Sequence, residues 1–331
     1  MRTTTQIALA ALFIGAFSAP AAAQTATWYI STYTDEMLVW DEESEEIIDR
    51  IKMNRIIPNR VQLNETKTRL YVGDASGEHI QVVDLAAREV IDEHALSEGD
   101  MTFRIDGFAP HPAGDRAVIF GRRHTKLSDR YAVDGPFILE YDMNAKMVTD
   151  TIPWPDGESR DRVGFRYSPD GETLYFYTND IIAVDSDTYE EVDRWEVSQP
   201  LEPGLGRPSF STDSQTYDEA GVATNLMRMR DPVHNRTLMG IAKVRLSEKE
   251  VDFYTVGPSE PVGAFAMAPG GDKAYALYTT IEAYEFWEFD LVEEAVTRRV
   301  PFAGRPRMGL DVSADGTKLY VHVAGNTIDV Y

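Results

Sequence analysis

A unit of about 40 residues recurs along this chain, and a period of that size restricts it to a repeat architecture. Leu70-Tyr71-Val72-Gly73 precedes Ile80-Gln81-Val82-Val83-Asp84-Leu85, and Leu174-Tyr175-Phe176-Tyr177 precedes Ile181-Ile182-Ala183-Val184-Asp185. Ala274-Tyr275-Ala276-Leu277-Tyr278 precedes Phe286-Trp287-Glu288-Phe289-Asp290-Leu291, and Leu319-Tyr320-Val321-His322-Val323 precedes Thr327-Ile328-Asp329-Val330-Tyr331. Each unit alternates like a strand and none shows a helical period. The expected fold is all-β: a seven-bladed β-propeller with about four antiparallel strands per blade.

Turn chemistry supports the unit. Ser168-Pro169-Asp170-Gly171, Ala268-Pro269-Gly270-Gly271 and Ser313-Ala314-Asp315-Gly316 fall between the first and second strands, A and B. His111-Pro112-Ala113-Gly114 is a looser version. Proline presets one turn dihedral and glycine accepts a positive φ, so these segments reverse the chain tightly. Asp84, Asp142, Asp185 and Asp290 recur after the third strand, C, where an Asp side chain caps the turn into strand D. Tyr71, Tyr175, Tyr275 and Tyr320 share one B-strand position and are expected to pack blade against blade.

The first unit supplies B, C and D (Trp28 to Met53) with no strand A; the last, from Arg307, supplies A, B and C with no strand D. Propellers close when one terminus completes the blade begun by the other. Here both missing strands would lie beyond Tyr331, or the ring closes imperfectly. An open edge would leave backbone groups unpaired and invite association. Two stretches interrupt the repeat: Arg122 to Gly135 in blade three and Asp218 to Arg236 in blade five. Read as insertions on one rim, they favour a partner-binding surface.

Residues 1–23 read as a secretory signal peptide: Arg2, an apolar run from Ile7 to Phe17, then small residues ending Ala21-Ala22-Ala23. The run is too short to span a bilayer. The expectation is a periplasmic protein without membrane insertion, with residues 24–331 as a single propeller domain. The chain has no cysteine, so it cannot attach haem through thioethers or hold an iron–sulfur cluster by thiolates. A net charge of −23 argues against nucleic acid as a partner.

No nucleophile elbow, P-loop or dinucleotide fingerprint is present, and the six histidines form no close ligand pair. Candidate functional residues are therefore positional. His124 and His234 sit in the two interruptions. Arg104, Arg162, Arg207 and Arg307 stand with Arg60 near the starts of inner strands, and Arg305 lies beside the last. Two readings stay open for these arginines: local pairing with acidic neighbours, or a positive channel mouth for an anion or a partner's acidic loop.

The Leu-Tyr-Val…Val-Asp-Leu and Ser-Pro-Asp-Gly repeats resemble YVTN-type propellers of exported bacterial proteins. The layout is also similar to the β subunit of quinohaemoprotein amine dehydrogenase, and more distantly to the heavy chain of methylamine dehydrogenase. The similarity rests on the opening Trp28-Tyr29-Ile30-Ser31…Val39-Trp40-Asp41 unit and the interruption before Ile138-Leu139-Glu140-Tyr141-Asp142. It rests also on Glu219-Ala220-Gly221-Val222-Ala223-Thr224 and on Phe265-Ala266-Met267-Ala268-Pro269 ahead of blade six. The resemblance implies a cofactor-free, non-catalytic propeller subunit in a periplasmic hetero-oligomer that oxidatively deaminates primary amines. In it, a small partner subunit carries a tryptophan-derived quinone and another carries c-type haem. The generic repeats alone imply a stand-alone exported propeller that binds a small ligand or a protein. A self-sufficient hydrolase or lactonase would need metal-binding carboxylates converging on the channel.

Overall fold

The computed structural model describes residues 25–64, 66–200, 202–212, 214–305, 307–323 and 327–331. The predicted leader, residues 1–23, lies outside them. Among the described residues every regular element is a strand, and no helix is long and apolar enough to cross a membrane. Blade one contains β1 (Thr27–Ser31), β2 (Glu36–Asp41) and β3 (Glu46–Lys52); blade two contains β4 (Asn59–Leu63), β5 (Arg69–Gly73), β6 (His79–Asp84) and β7 (Glu89–Ala95). Blade three contains β8 (Met101–Pro110), β9 (Arg116–Lys126), β10 (Tyr131–Asp142) and β11 (Met147–Thr151). Blade four contains β12 (Gly164–Tyr167), β13 (Thr173–Tyr177), β14 (Ile181–Asp185) and β15 (Glu191–Trp195). Blade five contains β16 (Pro208–Phe210), β17 (Val222–Asp231), β18 (Arg236–Arg245) and β19 (Glu250–Pro258). Blade six contains β20 (Val262–Met267), β21 (Lys273–Thr279), β22 (Tyr284–Asp290) and β23 (Ala295–Pro301); blade seven contains β24 (Met308–Val312), β25 (Leu319–Val323) and β26 (Ile328–Val330). Each sheet is an antiparallel meander, and the first and last have three strands each. The fold is a seven-bladed β-propeller.

The turn signals work as their chemistry dictates. Ser168 and Ser313 hydroxyls accept the N–H groups of Thr173 and Lys318, and Gly171 and Gly316 take φ of 80° and 72°. The Asp84 carboxylate accepts the N–H groups of Ala86 and Ala87, and Asp142, Asp185 and Asp290 repeat the same pair of bonds two and three residues on. Four separate sites with one geometry mark a single structural device.

Apolar clusters join the blades in order. Met37, Val39 and Ile51 pack on Leu70 and Val72, and Tyr71 and Ile80 pack on Phe103 and Tyr141. Val118 and Phe120 pack on Leu174 and Phe176. Tyr175 joins Val244 and Leu246, Met239 joins Trp287, and Tyr275 joins Leu310 and Val312. The recurring tyrosines therefore do bridge neighbouring blades.

The junction between blades seven and one differs. As at every junction the sheets stay separate, but among the described residues no cluster of buried apolar side chains spans this one. Its centre is the buried side chain of Glu42. One carboxylate oxygen accepts the Ala26 N–H at 2.9 Å, the other accepts the Tyr320 O–H at 3.0 Å, and both face the Ala314 N–H at 3.2 Å. Burial, then the Glu42 bond, holds the Tyr320 hydroxyl protonated far above its ordinary range. The Trp28 and Trp40 rings stand edge-on to Tyr320, each with centroids 5.2 Å away, and Lys318 pairs with Glu45 outside. A polar and aromatic clasp therefore closes the ring.

Two expectations are corrected. Arg122 to Gly135 is no loop insertion: it continues β9 and β10, and its irregular places are the short turn between Lys126 and Tyr131 and the register shift between Asp134 and Phe137. Asp218 to Arg236 is likewise mostly strand, being the body of β17 and its turn into β18. The irregular part of blade five lies between β16 and β17. Charged residues masked the strand alternation in both places: Arg122, Arg123, His124 and Lys126 crowd the extended part of β9, and Arg228, Arg230 and Asp231 alternate with the buried Met227 and Met229 in β17.

Candidate functional site

In an antiparallel meander the A–B and C–D connections share one face of the propeller, and the B–C and D–A connections share the other. Blade three rises above the second face. Its B strand, β9, runs six residues beyond the equivalent of Phe120, pairing Gly121 to Lys126 with Phe137 to Tyr131 on one side and with Ile105 to Met101 on the other. β11 pairs with β10 from Leu139 to Asp142 and reaches none of the raised part. At roughly 3.3 Å per residue, the five residues past Gly121 lift this three-stranded arm about 17 Å.

Register assigns the arm's two faces. Val133 stands opposite His124, which stands opposite Thr102; Tyr131 stands opposite Lys126; Arg122 stands opposite Arg104. Residues directly opposite share a face, and so do residues two apart. Thus Tyr131, Val133, His124, Lys126, Arg122 and Arg104 lie on one side. Tyr131 is 65% and Val133 56% exposed. Phe103 lies on the other side, where it is buried against blade two. Arg122 donates to Asp106 at 2.8 Å and to Asp161 of the blade-four approach at 2.9 Å, fixing the arm's base. The structure therefore brings the predicted Arg104 and His124 together, and adds Tyr131, Val133 and Lys126, which sequence reading missed. The available signal was the Tyr131-Ala132-Val133 alternation inside a segment taken for a loop.

The other predicted residues disperse. Arg104 lies 3.6 Å from Asp106. Arg207 donates to the Asn179 side chain at 3.3 Å, and Arg305 donates to Thr327 at 2.8 Å and Asp329 at 3.2 Å. Arg162 and Arg307 are exposed and form no ion pair among the described residues. His234 caps the β17–β18 turn, its Nδ1 2.8 Å from Asp231, which also accepts Arg236 Nε at 3.0 Å. Burial pushes the Asp231 carboxyl up, but the His234 and Arg236 bonds outweigh it and hold the group at about 2.

The channel holds a second feature, a cavity of about 1040 Å³ between blades two and five. Phe108, Phe165 and Phe210 line it from three successive inner strands, with Arg60, Arg166 and the 214–216 and 218–220 stretch alongside. That stretch is tied down: Asp218 accepts the N–H groups of Gln215 at 2.8 Å and Thr224 at 3.0 Å, and Gln215 donates to Asn225 at 3.0 Å. Arg60 takes a φ of 49° and donates to the Ile105 carbonyl at 2.7 Å across the blade junction. Of the predicted inner-strand arginines only Arg60 lines the cavity; Arg104, Arg162, Arg207 and Arg307 do not. Among the described residues no group of three or more His, Cys, Asp or Glu side chains is placed to hold a metal ion.

No protein-family model matches this sequence, and no curated protein matches it. Solved structures match it in shape. A chain of Kuenenia stuttgartiensis hydrazine synthase is similar with a TM-score of 0.52 and 14% identity, covering 90% of this chain and 89% of that one. A chain of a mitotic checkpoint complex is similar with a TM-score of 0.52 and 12% identity, over 93% of this chain and 83% of that one. The β-propeller domain of Cps50 (Swd1) from Myceliophteria thermophila gives 0.53 and 12%, over 93% and 97%. At such identities the likeness establishes the propeller fold alone.

Proposed function

We propose that this chain is a non-catalytic, partner-holding propeller subunit of an exported complex, of the β type found in quinohaemoprotein amine dehydrogenases. The observation that carries the reading is the raised arm of blade three. It lifts exposed Tyr131 and Val133 and a row of cations clear of the ring. One face of the arm is packed through Phe103 against blade two, but the face that carries Tyr131 and Val133 buries nothing and gains no stability by rising; a partner that covers it supplies the missing burial. The opening unit and the Arg122-to-Gly135 segment, which is lengthened strand rather than loop, are features on which the family resemblance rests. In this role the redox groups, a tryptophan-derived quinone and c-type haem, belong to partner subunits, and the ring supplies a rigid platform.

Affinity purification of the full chain from periplasm of its native host tests this. The expected result is stoichiometric copurification of a small quinone-bearing chain and a haem-bearing chain, each identified by mass spectrometry and by its absorbance. A homogeneous monomer that ignores both would sink the proposal.

The channel cavity favours a second reading, a stand-alone ligand-binding propeller. Three phenyl rings beside Arg60 suit a flat apolar ligand with an anionic group. If this reading holds, benzoate or indole-acetate at a hundred times its Kd raises stability by about 2.7 kcal/mol in the isolated chain, and Phe165→Ala removes the shift. Absence of any shift with both ligands, together with copurifying partners, decides for the first reading.

A further inference from the structure

We infer that the open edge of β10, from Tyr131 to Asp134, receives an extended acidic segment of the partner protein as an added β-strand. The inference rests on the partner-holding reading and names how the partner docks. Main-chain geometry comes first. Leu127 N–H donates to the Arg130 carbonyl at 2.8 Å, which closes the β9–β10 turn. Alternation along an antiparallel ladder then makes 126↔131 and 124↔133 the non-bonded pairs, and 125↔132 and 123↔134 the bonded ones. Lys126 agrees, since its N–H turns the other way, to the Asp100 carbonyl. The N–H and C=O groups of Tyr131 and Val133 therefore point outward, where among the described residues no strand pairs with them. Such an edge is a template for strand addition.

Charge selects the occupant. The chain as a whole carries −23. Yet between residues 122 and 134 Arg122, Arg123, Lys126 and Arg130 stand with His124 against Asp129 and Asp134. The side chains of His124 and Lys126 have no hydrogen-bond or ion-pair partner among the described residues. They lie on the same face as the exposed rings and methyls of Tyr131 and Val133. The arm's rise exceeds the screening length of about 8 Å at physiological salt, so the acidic ring beneath it barely weakens the local positive field. An added strand with apolar residues over Tyr131 and Val133 and carboxylates within reach of Lys126 and Arg130 satisfies both features. A second copy of this chain is disfavoured, because edge-to-edge pairing would lay two cationic arms side by side beneath two strongly acidic rings.

The test uses the full chain and a fluorescein-labelled peptide of about ten residues alternating valine and glutamate, with a valine–lysine peptide as its counterpart. Val133→Pro removes one outward N–H while leaving the β9–β10 bonds intact, and Lys126→Glu with Arg130→Glu reverses the charge. The expected result is saturable binding of the glutamate peptide, weakened about tenfold or more by either change, with melting curves unaltered. Equal binding of the lysine peptide, or undiminished binding by Val133→Pro, overturns the inference. So does a concentration-dependent dimer in sedimentation that Val133→Pro abolishes, which would make a second copy the occupant. The two proposals fail separately. A native complex that survives Val133→Pro defeats strand addition alone, whereas edge-dependent peptide binding with no copurifying chain defeats the subunit reading.

Discussion

Replacing Glu42 with alanine is expected to destabilise the ring by about 4 kcal/mol, through loss of charge-assisted hydrogen bonds worth roughly 1.5–3 kcal/mol each and exposure of their donors to an apolar site. The Ala314 N–H and the Tyr320 hydroxyl would both be stranded in a buried place. Among the described residues no other junction depends on one side chain in this way. Elsewhere neighbouring blades share apolar clusters in which the loss of one contact leaves many others. Thermal melting should therefore fall by roughly 5–10 °C. Hydrogen exchange should rise first in blades one and seven, because among the described residues the clasp is what joins them, while blades three and four stay protected.

Two milder variants sharpen this expectation. Glu42→Gln keeps one acceptor oxygen but turns an amide nitrogen toward an N–H donor, so about half of the loss should remain. Tyr320→Phe keeps the ring between Trp28 and Trp40 and removes a single bond, a loss of about 1 kcal/mol. Melting of Glu42→Ala within 1 °C of the parent, measured under the same scan, would show that the seam is held by something other than this carboxylate.

Glu42 also marks where sequence reading stopped. The repeats, the turns and the capping Asp residues were legible because each depends on neighbours within one unit: Asp84 bonds Ala86 and Ala87, and Ser168 bonds Thr173. The tyrosine row was legible because one position recurs in successive B strands. Glu42 bonds residues 272 and 278 positions away, and in the sequence it lies among Asp41, Glu43, Glu45 and Glu46 as one more acid of a wet edge. Nothing local separates it from them. The arm was hidden for a different reason. Its β9 part reads Arg122-Arg123-His124-Thr125-Lys126, and a polar run without an apolar period is the ordinary signature of a loop. Only pairing with β8, which comes from earlier in the chain, reveals the third strand of the arm.

Gly121 is the residue on which that arm turns, and Gly121→Ala is expected to be as damaging locally as the seam variant is globally. Gly121 stands opposite Ile105 in β8 and Phe137 in β10, and both partner strands shift register beside it, after Ile105 and before Phe137. Paired irregularities on both flanks bend the sheet out of the blade plane. A Cβ at this position would lie 2.1 Å from the Arg104 carbonyl oxygen and 2.5 Å from the Phe103 ring. Neither can yield easily, since Arg104 belongs to the ladder and Phe103 is packed into the junction with blade two. Overpacking of this kind costs about 1–3 kcal/mol, and the upper end applies where backbone is the obstacle. Gly263→Ala is the control, because a Cβ there meets nothing within 4 Å and no left-handed backbone is involved. Gly121→Ala should therefore melt several degrees lower than Gly263→Ala and lose the acidic peptide, while exchange protection at the Glu42 seam stays unchanged. If Gly121→Ala instead bound the peptide with parental affinity, the arm's geometry would not be what presents the edge, and strand addition at β10 would fall with it.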